Sequence, residues 1–262
     1  MLTALAALDR LGTHYGPRPW HARDEPLKEL VQTILAQHTS DLNAERAFGD
    51  LWRHFGSWPA IASAEVDVIT ESIRSGGLAR QKAPRIKGVL QEILSRRGEF
   101  DLTFLSTLSF SDALEWLTTL NGVGPKTARC VLLFALGFPC IPVDTHVHRV
   151  AKRLGLIGPK TTAEAAHAIL EAAIPPADAY RFHVYLIEHG RGVCDALRPR
   201  CAACPVQAGC PSSTLAQAPP QSRGAGGRRS PSRGGPGGQP EKPKPRAKRS
   251  PGVPAATTAT GG

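Results

Sequence analysis

The sequence predicts an all-α fold, and three observations carry that expectation. Through the first 211 residues, apolar side chains recur every three or four positions, as on one face of a helix. No segment keeps the apolar–polar alternation of a half-buried strand. Residues that start or stop helices, among them Pro26, Asp41 and Gly98, stand at ends of the periodic stretches.

The elements follow in order. Leu2, Leu5, Leu8 and Leu11 mark a first stripe. Leu27, Leu30, Val31, Ile34 and Leu35 mark a second, with Pro26 in its first turn, where a missing N–H does no harm. Asp41 reads as the cap of a helix carrying Leu42, Phe48, Leu51, Trp52 and Phe55. Ile86, Val89, Leu90, Ile93 and Leu94 form the next stripe, closed by Gly98. Ser111 opens another with Leu114, Leu117 and Leu120, and four more helices are expected over 128–136, 147–154, 162–173 and 180–187. Helices this amphipathic bury their apolar faces on one another, so a bundle follows.

Charge divides the chain. The 262 residues carry a formal net charge of +10, yet residues 212–262 alone hold nine cations and one anion, so the first 211 are close to neutral. The same last residues hold ten of the 26 glycines, nine of the 23 prolines and no aromatic side chain. Such a segment buries too little apolar surface to offset its ordering entropy. A disordered basic tail is expected there, either a solvated spacer or an arm for nucleic acid. No run reaches the ~18–20 apolar residues of a membrane span, and Met1-Leu-Thr-Ala-Leu lacks the basic start of a secretory signal. A cytoplasmic, reducing setting with no membrane partner is therefore expected, and in it six cysteines read as metal ligands before disulfides.

Leu120-Asn-Gly-Val-Gly-Pro-Lys-Thr-Ala ends one helix and begins another. Gly122 and Gly124 allow close backbone approach, and Pro125 suits a first helical turn. The N–H groups of Gly122, Val123 and Gly124 then offer a small anion site, as in a helix-hairpin-helix that holds a DNA phosphate without reading sequence. An ordinary αα-hairpin is the plainer alternative. Lys126 lies at the positive end of the second helix, where the dipole and partial burial both disfavour its charge and leave an amine able to attack carbon. A surface lysine touching a phosphate is the commoner role. Eighteen residues on, Asp144 ends the loop Ile141-Pro-Val-Asp and caps the next helix. A chain that runs one helix out and returns brings this carboxylate beside the amine, whose pKa it raises against the dipole. His146 and His148 are two apart, diverge on a helix, and read as surface or DNA-facing groups.

Cys194, Cys201, Cys204 and Cys210 show the spacing C-x6-C-x2-C-x5-C. Four thiolates can hold tetrahedral zinc or a cubane iron–sulfur cluster. One C-x2-C between two longer, unequal gaps favours the wider cubane. Arg198 and Arg200 in the same loop could dock on phosphates, and Cys130 and Cys140 read as buried thiols.

Taken together, Leu120–Ala128 with Lys126, Val143-Asp144-Thr145-His146 and the cysteine spacing resemble the endonuclease III family, the bifunctional branch of the helix-hairpin-helix-GPD DNA glycosylases. The resemblance spans nearly all of residues 20–211 in the right order. It implies a six-helix barrel over 24–137, with the helix-hairpin-helix at about 111–137. It also implies a second helical domain from 1–23 and 138–211 that holds a [4Fe-4S] cluster, with the tail at 212–262 outside the family core. Residue by residue, Lys126 matches the Schiff-base lysine and Asp144 the catalytic aspartate. Gln37, in Leu35-Ala-Gln-His-Thr, matches the glutamine that fills the hole left by a flipped nucleotide. Leu78, in Gly76-Gly-Leu-Ala, matches the wedge on the opposite strand, and the four cysteines match the cluster ligands. Asn121 and Pro125 stand where the family often has Pro and Arg, and His38 and Ser40 also depart, which bears on substrate preference.

The resemblance implies a monomeric base-excision enzyme, cytoplasmic and nucleoid-associated if bacterial, acting on duplex DNA with damaged bases or abasic sites. As a bifunctional glycosylase/AP lyase it would flip out oxidised pyrimidines, remove them through a Lys126 Schiff base and cut the strand by β-elimination. Two rivals stand beside it. A monofunctional adenine-type glycosylase of the same fold would have no use for the Lys126 amine. A non-catalytic DNA-binding protein with a redox-sensing cluster would have no use for the Lys126–Asp144 pair.

Overall fold

The computed structural model describes residues 2–215, and among these all regular structure is helical. The α-helices are α1 (Ala4–Tyr15), α2 (Pro26–Leu35), α3 (Asp41–Phe55), α4 (Trp58–Ser63), α5 (Val66–Ser72), α6 (Ala79–Arg97), α7 (Phe110–Thr118), α8 (Pro125–Phe134), α9 (Thr145–Leu154), α10 (Ala163–Ala173) and α11 (Ala179–Gly192). Of the tail expected at 212–262, all but the first four residues lie outside the described ones.

Several boundaries move by a residue or two, each for a local reason. Ser40, not Asp41, caps α3, accepting the Asn43 N–H, and Asp41 is thereby free to pair with Arg191. Ser109, not Ser111, caps α7 by accepting the Asp112 N–H. In α1 the buried face is Ala4, Ala7, Leu8 and Leu11, an i, i+3, i+4, i+7 pattern, while Leu5 points outward at 49% exposure. The short helices α4 and α5 were not foreseen. Each is under two turns, too short to show a period.

Two clusters of buried side chains form the interior. One gathers α2 to α8, from Leu27 to Leu133, and includes Cys140. The other joins α1 to α9, α10 and α11, from Leu2 to Val206. The chain crosses between them twice. On the first crossing, residues 16–25 lie along α8: the Trp20 indole donates to the Leu133 carbonyl at 2.7 Å, and the Arg23 guanidinium covers the Phe134 ring at 4.1 Å. At the second, the nearly buried Arg129 of α8 pairs with Glu171 of α10 at 2.8 Å, and Glu171 also accepts the Ile141 N–H at 3.1 Å. No helix among the described residues is long and apolar enough to cross a membrane.

Candidate active-site cleft and cysteine loop

Helical periodicity builds the cleft. Lys126, Cys130 and Phe134 are four residues apart and share one face of α8. Tyr180, His183 and Arg191 line the same space from α11, leaving a cleft of about 590 Å³. The Phe134 ring meets the Tyr180 and His183 rings edge-on, at 6.0 and 5.4 Å. Asp41 and Arg191 pair at 2.7 Å, and that bond holds the Asp41 carboxyl below its usual range.

Lys126 is half-buried in this cleft. Dipole and burial were expected to lower its pKa, but the structure reverses the sign. The amine is pushed up, first by the Cys130 sulfur one turn along α8, against burial, with Asp144 and Glu29 adding to the rise. Burial pushes the Cys130 thiol up as well. Asp144 caps α9 as expected, its Oδ1 accepting the Val147 N–H at 2.8 Å. The returning chain thus sets Asp144 within charge range of Lys126.

His183 is almost fully buried, and burial pushes its pKa down to about 4. Its Nδ1 lies 2.9 Å from the Pro142 carbonyl. A carbonyl only accepts, so Nδ1 bears the hydrogen and the ring is neutral.

The turn between α7 and α8 answers the expectation with one correction. Val123 plugs the core, 4% exposed, and its N–H is spent on the Leu120 carbonyl at 3.0 Å. The N–H groups of Gly122 and Gly124 take no partner among the described residues, and both glycines are exposed. Gly122 has φ +83, and a Cβ there would stand 2.5 Å from Arg85 Nε. Two amides of this turn, not three, are thus left without a partner among the described residues.

Gln37 and Leu78 sit on two strained loops. Leu78 (φ 50) and His38 (φ 54), next to Gln37, are the only non-glycine residues with positive φ among those described. Such conformations cost about 1–3 kcal/mol and persist where the surroundings impose them. Leu78 is an apolar side chain left 45% exposed at the loop tip. Gln37 is half-buried and held from both ends: Oε1 accepts from Arg85 at 2.5 Å, and Nε2 donates to Thr127 Oγ1 at 3.4 Å.

The four cysteines of the loop after α11 line a single cavity. All six cysteines are free of disulfides. No group of three or more ligand-type side chains among the described residues is placed to hold one metal ion. Four thiols around one cavity are a donor set that suits either a zinc ion or an iron–sulfur cluster. Arg153 of α9 holds the start of the loop, donating to the carbonyls of Cys194, Asp195 and Ala196. Arg198 and Arg200 are exposed on it. His146 is half-buried and bonded to Arg149, which in turn donates to Gly190 and Cys194 carbonyls.

Residues 31–176 match the family described as HhH-GPD superfamily base excision DNA repair protein. The chain belongs to the endonuclease III family. It is 34% identical to an endonuclease III of Synechocystis over 72% of this chain and 82% of that one. It is 37% identical to a putative DNA glycosylase of Arabidopsis thaliana over 63% of this chain, and spans only 56% of that relative. An endonuclease III in a non-covalent complex with DNA superposes with a TM-score of 0.72 at 26% identity, covering 83% of this chain and 99% of that one. Family membership makes this chain a DNA glycosylase. Within that family fold, sequence reading missed Arg85, Arg153, His183 and the buried Lys82, because a charged residue on an amphipathic helix reads as solvent-facing. Cys130 and Cys140 are buried as expected, but the four-residue spacing of Cys130 from Lys126, which puts the two on one face of α8, went unused.

Proposed function

We propose that this chain is a bifunctional DNA glycosylase/AP lyase that excises oxidised pyrimidines from duplex DNA. The observation that carries the reading is Lys126, an amine lining a cleft of about 590 Å³, within one helical turn of the two free glycine amides and within charge range of Asp144. The glycine amides would hold a phosphate, and the damaged nucleotide would turn out into the cleft at a cost of a few kcal/mol. Gln37 and Leu78 would occupy the vacated stack. Lys126 must first lose the proton that its carboxylate neighbours favour. Asp144 Oδ1 is committed to Val147, which leaves Oδ2 to receive that proton and to pass it on to the departing base. Attack of the amine on C1′ expels the base, and the resulting Schiff base acidifies the neighbouring sugar proton, so β-elimination breaks the strand on the 3′ side. Cys194, Cys201, Cys204 and Cys210 would hold a [4Fe-4S] cluster, which supplies a cross-link for the loop carrying Arg198 and Arg200.

Borohydride reduction during reaction tests this. The wild-type chain is expected to be trapped on DNA holding a damaged pyrimidine or an abasic site. Lys126→Gln is expected to lose trapping while keeping most of its DNA affinity, because the glycine amides and not the side chain grip the phosphate. Trapping of that variant at wild-type yield would remove Lys126 from the mechanism.

A further inference from the structure

One buried cation plays no part in the chemistry above. Lys82 of α6 is 2% exposed and forms no ion pair among the described residues, and burial pushes its pKa down. A buried ammonium without a counter-ion carries a heavy desolvation penalty, which an apolar residue of the same length would avoid. Its Nζ donates instead to two main-chain carbonyls, Leu35 at 2.6 Å and Gly76 at 2.8 Å. Leu35 lies two residues before Gln37, and Gly76 two before Leu78. One ammonium thus ties together the two loops that carry the strained His38 and Leu78. Arg85, one turn further along α6, extends the tie. Its Nη1 holds Gln37 Oε1, and its methylene stem lies so close to Gly122 that a Cβ there would sit 2.6 Å from Arg85 Cδ.

We propose that Lys82 and Arg85 are positioning residues that fix the spacing of the Gln37 loop, the Leu78 loop and the hairpin turn before DNA arrives. The inference rests on the reading of Gln37 and Leu78 as groups that enter the base stack. Two such insertions help each other only if they arrive in register, because one alone unstacks the duplex without filling the gap. Loops held ready lose little freedom on binding, and a misplacement of about 1 Å can cost about a hundredfold in rate.

The test uses a duplex with a tetrahydrofuran abasic analogue opposite 2-aminopurine. The analogue has no C1′ oxygen to form a Schiff base, so the readout is independent of Lys126. At saturating protein, the wild-type chain is expected to raise the fluorescence as the 2-aminopurine leaves the stack. Lys82→Met is expected to leave it near the free-duplex level, and to excise a lesion from duplex DNA about a hundredfold more slowly. Folded Lys82→Met that gives the wild-type signal at saturation overturns the proposal. Should Lys82→Met not fold, Arg85→Met decides, since Arg85 is only half-buried. A partial loss of signal supports the bracket, and an undiminished signal overturns it. No rise with the wild-type chain would overturn the wedge reading and this proposal with it. Borohydride trapping at Lys126 tells that result apart from a failure of the chemistry.

Discussion

Two loop systems in this molecule are organised around centres of different kinds. The Gln37 and Leu78 loops close on the Lys82 ammonium, a centre that the chain supplies from α6. The cysteine loop is held at its start by Arg153, but its four thiols surround a cavity and do not bond to one another. A cation donating to carbonyls is complete within the polypeptide. A ring of thiols is completed by the cluster proposed for it. The first system should therefore depend on one side chain, and the second on a cofactor.

The largest expected effect comes from breaking the second system. Cys204→Ser is expected to lose iron and sulfide, measured by elemental and colorimetric analysis, and to reduce solubility and DNA affinity. The same loss should bear far less on the intrinsic lyase step, because Lys126 and Asp144 lie outside the loop. A colourless, zinc-loaded protein with full activity would reverse the assignment.

The seam between the two buried clusters should show the next largest effect. Glu171→Ala leaves the Arg129 guanidinium without a partner and orphans the Ile141 amide, a loss of about 3–5 kcal/mol. Denaturant unfolding would measure it, and a change below about 1 kcal/mol would mean that the pair is solvated and not a structural tie.

Acid should act on stability through the buried histidines, and here the effect is smaller. Burial pushes His183 down to about 4 and His167 in the same direction. Between the ordinary histidine value and 4, the unfolded chain takes up a proton that native His183 refuses. Its contribution is therefore complete above about pH 6.5 and lost as pH falls toward 4, at about 1.4 kcal/mol per pH unit. His183→Gln should flatten the pH dependence of unfolding over that window, and parallel curves would refute the assignment.

The helices were legible because they rest on local rules of period, caps and turn residues. Asp144 caps its helix and Pro125 opens its own, as those rules require. What was not legible depends on chain folding back from a distance. Nothing local separates Lys82, which is buried, from Lys87 five residues on. The acceptors of Lys82 come from α2 and from the turn before α6. The Lys126 shift is mixed in origin: its largest cause, Cys130, lies one turn along α8, while Asp144 and Glu29 add to it from elsewhere in the chain. Val123 was misjudged at shorter range, because a turn that offers three amides on paper spends one of them on itself.

The placement of α1 has a consequence for synthesis. Its Leu8 and Leu11 are buried against helices that begin only at Thr145, while the cluster from Leu27 to Leu133 can close without it. A ribosome adds roughly 5–20 residues per second, so α1 waits on the order of ten seconds for its neighbours. During that interval its apolar face has nothing of its own to cover it. Helix α1, made before α2 to α11, is thus among the last of them to dock, and the nascent chain is most exposed to aggregation before α9 and α11 emerge.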